Sequence, residues 1–99
     1  MRIALYQPDI PQNTGALLRL GAALGVPVDI IEPCGFIWDD RRLRRSGMDY
    51  IDHAEFVRHS GWAAFRTTLP AAARLVLLTT QGATRLPDFA FGPEDVILL

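Results

Sequence analysis

The sequence predicts an α/β fold: a mainly parallel sheet with flanking helices, in a single domain over residues 1–99. Three observations predict it. Short continuous apolar runs at residues 3–6, 75–78 and 96–99 read as strands buried on both faces, and residues 28–32 read as a further strand. Segments of helical period lie between them. Glycine and proline punctuate the joints, at Gly25 and Pro27 and again at Pro70.

In chain order, residues 3–6 form the first strand, broken by Pro8 and Pro11. Asn13 is placed to cap a helix over residues 16–24, in which Leu17, Leu20 and Leu24 share a face. Gly25 stops that helix, Pro27 follows, and residues 28–32 form a second strand. This is a βαβ unit, which is right-handed and parallel as a rule. Asp39 or Asp40 caps a short helix over residues 41–45, ended by Ser46 and Gly47. A short strand is expected at residues 50–54. Ser60 caps a third helix with Trp62, Phe65 and Leu69 on one face, ended by Pro70. Residues 74–80 read as the clearest buried strand, 81–91 as loop, and 95–99 as a last buried strand. Ending inside an apolar run is expected of a piece of a longer protein.

Composition limits the function. At 49% hydrophobic and 21% charged residues, the chain is an ordinary globular protein and not a disordered tail. A net charge of -1 excludes a globally basic nucleic-acid binder but leaves room for a local basic patch. All 10 basic residues are arginine, so every cation is a flat, permanently charged fork suited to phosphate or carboxylate. The single cysteine, Cys34, fits a reducing cytoplasm. No run approaches a membrane span of about 20 residues. Cys34, His53 and His59 lack metal-ligand spacing, so no metal and no membrane partner is expected, and both histidines are read as surface or partly satisfied groups.

Ligands of parallel sheets sit at the carboxyl ends of strands. Three candidates lie there or nearby. Asn13, Gly15 and Arg19 open the first helix, and Arg19 has only Gly15, Ala16, Ala22 and Ala23 at its helical neighbours. It is either a guanidinium accessible to phosphate or an ordinary surface arginine. Arg41, Arg42, Arg44 and Arg45 form either an RNA-backbone patch, with Phe36, Trp38 and Tyr50 stacking on bases, or a solvated helix beside core aromatics. Leu78, Thr79 and Thr80 end a strand before Gln81 and Gly82, as the floor of a nucleoside-like site or as plain punctuation.

The run Leu5-Tyr6-Gln7-Pro8-Asp9-Ile10-Pro11-Gln12-Asn13-Thr14-Gly15, then Arg19-Leu20, resembles the opening of the SPOUT superfamily of RNA methyltransferases. The segment from Ile31-Glu32-Pro33-Cys34-Gly35-Phe36-Ile37-Trp38-Asp39-Asp40 through Tyr50, with Leu78-Thr79-Thr80, looks like its TrmL-like branch. Members of that branch are tRNA (cytidine/uridine) 2′-O-methyltransferases acting on the wobble nucleotide. The resemblance implies that Arg19 is catalytic with Asn13 in support. It also implies that Leu78, Thr79 and Thr80 wall an S-adenosylmethionine site, and that Arg41, Arg42, Arg44 and Arg45 contact the tRNA anticodon region. It further implies a homodimer in which the arginine of one subunit lies near the cofactor of the other. The chain departs from the family in lacking the C-terminal trefoil-knot region, so an incomplete domain is expected. Phe91-Gly92-Pro93-Glu94 imitates the family's cofactor motif but precedes the strand it should follow. Gln81 stands where relatives often carry lysine. The alternative to the enzyme is a non-catalytic RNA- or nucleotide-binding α/β module.

Overall fold

The computed structural model describes residues 1–38, 55–79, 82, 84–85 and 88–99. The expected helix over 41–45, its capping Asp39 and Asp40, the expected strand at 50–54, and His53, Thr80 and Gln81 lie outside the described residues.

Five strands form one all-parallel sheet: β1 (Arg2–Tyr6), β2 (Val28–Ile31), β3 (Phe56–His59), β4 (Arg74–Leu77) and β5 (Asp95–Leu98), in the order β3-β2-β1-β5-β4. The chain steps outward from the central β1 to β2 and β3, crosses to the far edge at β4, and returns inward to β5. The central β1 thus lies between β2 and β5, with the carboxyl ends of all five strands on one side of the sheet, the side where open parallel sheets bind ligands.

Among the described residues two helices cover the sheet: α1 (Pro11–Leu24) on one face and α2 (Trp62–Thr67) on the other. Side chains alternate between the faces. Ile3, Leu5, Val28 and Ile30 pack with Leu18 of α1. Ala4, Ile31 and Val96 pack with Phe65 of α2. Both sets are buried, which is why the central strands are rich in apolar residues on both faces.

The first βαβ unit forms as expected, with two corrections inside it. Asn13 does not cap α1: the N-cap is Ile10, without a side-chain hydrogen bond, and Pro11 supplies a pre-set φ at the first turn. The buried stripe of α1 is Thr14, Leu18 and Gly21, whereas Leu20 and Leu24 are 45% and 64% exposed. The helix is turned by about 100°, one residue, from the orientation its leucines suggest. Gly21 explains the turn, because an added Cβ there would meet the Val26 carbonyl oxygen at 2.7 Å and Val28 Cγ2 at 2.8 Å. Backbone contact at that distance excludes a larger residue, so the leucines are left outside. Gly25 ends the helix in the left-handed region at φ 66°.

Three later expectations also change. Strand β3 was not anticipated, since its burial is confined to its ends and Val57 and Arg58 are exposed. Helix α2 is capped at Gly61, not Ser60, and ends at Thr67, with Leu69 packing just beyond it. The Thr67 and Thr68 hydroxyls donate to the Ala64 and Phe65 carbonyls and close its last turn. Strand β4, expected to be the best buried, is an edge strand in which only Val76 is buried and Leu77 is 61% exposed. Apolar composition does not distinguish an edge strand from a central one.

Candidate functional site

The carboxyl end of β1 is shaped by two loops pressed together. The Tyr6 N–H donates to the Leu99 carbonyl and the Gln7 N–H to the Ile31 carbonyl, tying the strand exit to both neighbouring strands. Gln7 then turns into the left-handed region at φ 45°. The Gly35 N–H donates to the Pro8 carbonyl at 2.9 Å, and a Cβ on Gly35 would meet Asp9 Cα at 2.9 Å. Glycine is thus required where the loop after β2 lies on the loop after β1.

Beside this junction is a cleft of about 320 Å³, lined by Tyr6, Gln7, Asn13, Leu17 and Leu99 among others. Asn13 enters it from the first turn of α1, and both Asn13 and Gln7 are exposed. Arg19 is also exposed, but lies on the same helix about 9 Å further along the axis and does not line that cleft. Around it Ala16 and Ala23 are exposed and Gly15 and Ala22 half-buried, which leaves the expected clearing of small side chains.

Leu78 and Thr79 line a different cavity, of about 650 Å³, along β4. Its walls include Val76, Gly82, Thr84, Phe89 and Phe91. Neither Asn13 nor Arg19 reaches it, so one chain does not bring the two halves of the expected site into one pocket. Arg41, Arg42, Arg44 and Arg45 lie outside the described residues, as do Tyr50 and Thr80.

Of the aromatics expected as base platforms, the described two, Phe36 and Trp38, pack with Phe56 against the α1-side core, Trp38 lying 5.6 Å from Phe56 between ring centroids. Arg58 stands 5.0 Å over the Trp38 ring and pairs with Glu32. The half-buried Cys34 thiol is pushed up in pKa by burial and by the Glu32 charge, with Arg58 opposing, which makes it a poor nucleophile. Phe91 to Glu94 lead into the amino end of β5, where the Gly92 N–H donates to Asp95 Oδ2. They sit at the opposite end of the sheet from the strand exits.

That amino end carries two ion-pair groups. Asp29, 2% exposed, accepts from Arg2 Nε at 2.7 Å and Nη2 at 3.0 Å, and His59 Nε2 lies 2.8 Å from its Oδ1. His59 is buried, a more interior place than its sequence setting suggests. Arg74 pairs with Asp95 through two hydrogen bonds. Among the described residues no group of three or more His, Cys, Asp or Glu side chains is arranged to hold a metal, and no helix is long and apolar enough to cross a membrane.

Gln7 is the residue whose place in the site the sequence did not single out. The available signal was its position between a strand end and a proline, which favours extended backbone and gives no hint of a left-handed turn.

The family model of the SpoU rRNA Methylase family matches residues 1–99. A tRNA (cytidine(34)-2'-O)-methyltransferase of Beijerinckia indica is 51% identical over 98 residues, covering 98% of this chain and 61% of the relative. One of the same name from Ancylobacter novellus is 49% identical, covering 100% of this chain and 63% of the relative. A solved structure described as giving insights into the 2-OH methylation of C/U34 on tRNA superposes with a TM-score of 0.88 at 39% identity, over 98% of this chain and 64% of the other. A candidate RNA methyltransferase from Bacillus anthracis superposes at 0.84 with 31% identity, over 98% and 62%. The chain spans about three-fifths of the length of the curated relatives it matches.

Proposed function

The chain belongs to the SpoU rRNA Methylase family, and from that premise we propose that it serves 2′-O-methylation of the wobble nucleotide of tRNA, with S-adenosylmethionine as methyl donor, as an incomplete SPOUT domain. The observation that carries the reading is the alignment of the whole chain, at about half identity, with two tRNA (cytidine(34)-2'-O)-methyltransferases. The all-parallel sheet supports it, since the Asn-x-Gly-x-x-x-Arg run lies on the helix that follows the central strand, starting at the carboxyl end of the sheet.

The Arg19 side chain offers a planar guanidinium fork of hydrogen-bond donors with no acceptor. Its role is therefore to orient a substrate phosphate through its planar fork and to stabilise the alkoxide that develops on the ribose oxygen. Asn13, at the cleft, supports the same nucleotide by hydrogen bonding. The cavity along β4 fits an adenosine-bearing cofactor in size and in its mix of aromatic walls and threonine hydroxyls, and Leu78, Thr79 and Thr80 would hold it there. When bound, S-adenosylmethionine supplies an electrophilic methyl group on a sulfonium. Arg41, Arg42, Arg44 and Arg45 neutralise phosphates of the anticodon region, which makes affinity fall as salt rises. A homodimer joins the two halves, with Arg19 of one subunit serving the cavity of the other. Two observations support it: those residues line no common pocket within one chain, and α1 presents Ala16, Leu20, Ala23 and Leu24 outward. The proposed setting is the cytoplasm, where its substrate is found.

The same separation within one chain favours a second reading, a non-catalytic RNA- or nucleotide-binding module. Titration with tRNA at two salt concentrations, together with calorimetry against S-adenosylmethionine, distinguishes the two. Binding to both ligands is expected of the enzyme, and RNA binding alone indicates the module. In the intact protein Arg19→Lys, which keeps the charge and loses the fork, is expected to cut turnover about a hundredfold. Near-normal methylation by that variant would remove Arg19 from the mechanism.

A further inference from the structure

We propose that Gln7 is a substrate-binding residue whose carboxamide hydrogen-bonds the nucleotide entering the cleft between the carboxyl ends of β1 and β5. The inference rests on the RNA-methylation reading above and adds to it a contact on the substrate side.

Four observations converge on this residue. Gln7 has a φ of 45°, and it is the only described non-glycine residue in the left-handed region. Such a conformation is disfavoured for a residue with a Cβ. A following proline ordinarily drives its neighbour to extended backbone, and here Pro8 follows. The strain is imposed by the surroundings, since the Ile31 carbonyl accepts from the Gln7 N–H at 2.8 Å and the loop carrying Gly35 is seated on Pro8 and Asp9. Glycine would adopt the same backbone without penalty, so the side chain is kept at a conformational cost.

The second observation is position. Gln7 lies at the exit of the central strand, at the carboxyl end of the sheet, which is the side where open parallel sheets bind ligands. The third is the cleft itself, whose volume of about 320 Å³ lies within the range of small-ligand sites. The fourth is chemistry: the Gln7 and Asn13 carboxamides both line this cleft, with the Asp9 carboxylate beside them, and both residues are exposed. A carboxamide offers two donors and one acceptor without charge. That set matches ribose hydroxyls and the mixed edge of a pyrimidine, and two carboxamides in one cleft hold a nucleotide from two directions.

The test uses Gln7→Gly, which relieves the backbone and deletes the side chain, and Gln7→Asn, which keeps a shorter carboxamide on a residue tolerant of the left-handed region. The probe is an anticodon stem-loop RNA with cytidine at the wobble position, read by fluorescence anisotropy beside thermal melting. Gln7→Gly is expected to melt at or above the wild-type temperature and to bind roughly three- to tenfold more weakly, with Gln7→Asn in between. Binding by Gln7→Gly equal to wild type would overturn the inference and leave Gln7 a turn residue. A wild-type chain that ignores the RNA would instead overturn the tRNA reading beneath it.

Discussion

Asp95 opens β5 with its carboxylate gripped on three sides, by Arg74 Nε at 2.9 Å, by Arg74 Nη2 at 2.6 Å and by the Gly92 N–H at 2.7 Å. The Arg74 hydrogen bonds, then the Gly92 N–H, hold its pKa below the ordinary carboxylate value, and burial opposes them. A carboxyl with a lowered folded pKa contributes stability above its unfolded value, about 4, and loses it as the pH falls through the folded one. Urea unfolding measured from neutral to acid pH is therefore expected to weaken below about pH 4, and Arg74→Met is expected to flatten that acid limb. An unchanged slope in the variant would show that other carboxyl groups govern it. This pairing was not legible in the sequence. Arg74 and Asp95 are far apart along the chain, and only the parallel register of β4 with β5 sets them side by side. The same holds for Arg2, Asp29 and His59, which three neighbouring strands bring together. Gly25, by contrast, was readable alone, because the left-handed stop it supplies is a local property of the backbone.

Helix α1 shows how much of an element is local and how much is not. Its existence, its Gly25 end and its link to the strands on either side follow from spacing and punctuation. Its rotation does not. The leucines at 17, 20 and 24 and the smaller set Thr14, Leu18 and Gly21 have the same helical period, so periodicity alone fits both faces. The contact at Gly21 breaks the tie. In an ordinary helix interior Gly→Ala is worth about 1 kcal/mol of added stability. At Gly21 the methyl group would press on the Val26 carbonyl and Val28 Cγ2, so Gly21→Ala is expected to destabilise the fold by about 1–3 kcal/mol in chemical denaturation. A stabilised variant would mean that α1 can pivot away from β2. The edge strand β3 was missed for the converse reason: with two exposed residues of four, it lacks the apolar run that announces a central strand.

For the whole molecule, the order β3-β2-β1-β5-β4 places the exits of β1 and β5 together at one crevice. The cleft with Asn13 and Gln7 and the cavity with Leu78 and Thr79 are products of that order. On the proposed homodimer, the outward face of α1 is the surface that a second copy covers. Joint replacement of Leu20 and Leu24 by glutamate is expected to shift the sedimenting species from dimer to monomer while leaving the melting curve cooperative, since both side chains are exposed within one chain. A dimer that persists would move the interface off α1.

The amino-acid order was enough to determine the α/β class, the first βαβ unit, the residues that carry the family resemblance and the buried character of the central strands. These depend on short-range geometry, on period, on proline and glycine, and on apolar runs within a few residues of one another. The tertiary structure alone decided which side of α1 faces the sheet, which strands became edges, which charges met, and that Gln7 turns left-handed into a cleft beside Asn13. Each of those depends on contacts between segments remote in the chain, where backbone approach and strand register select among arrangements that local pattern leaves equally acceptable.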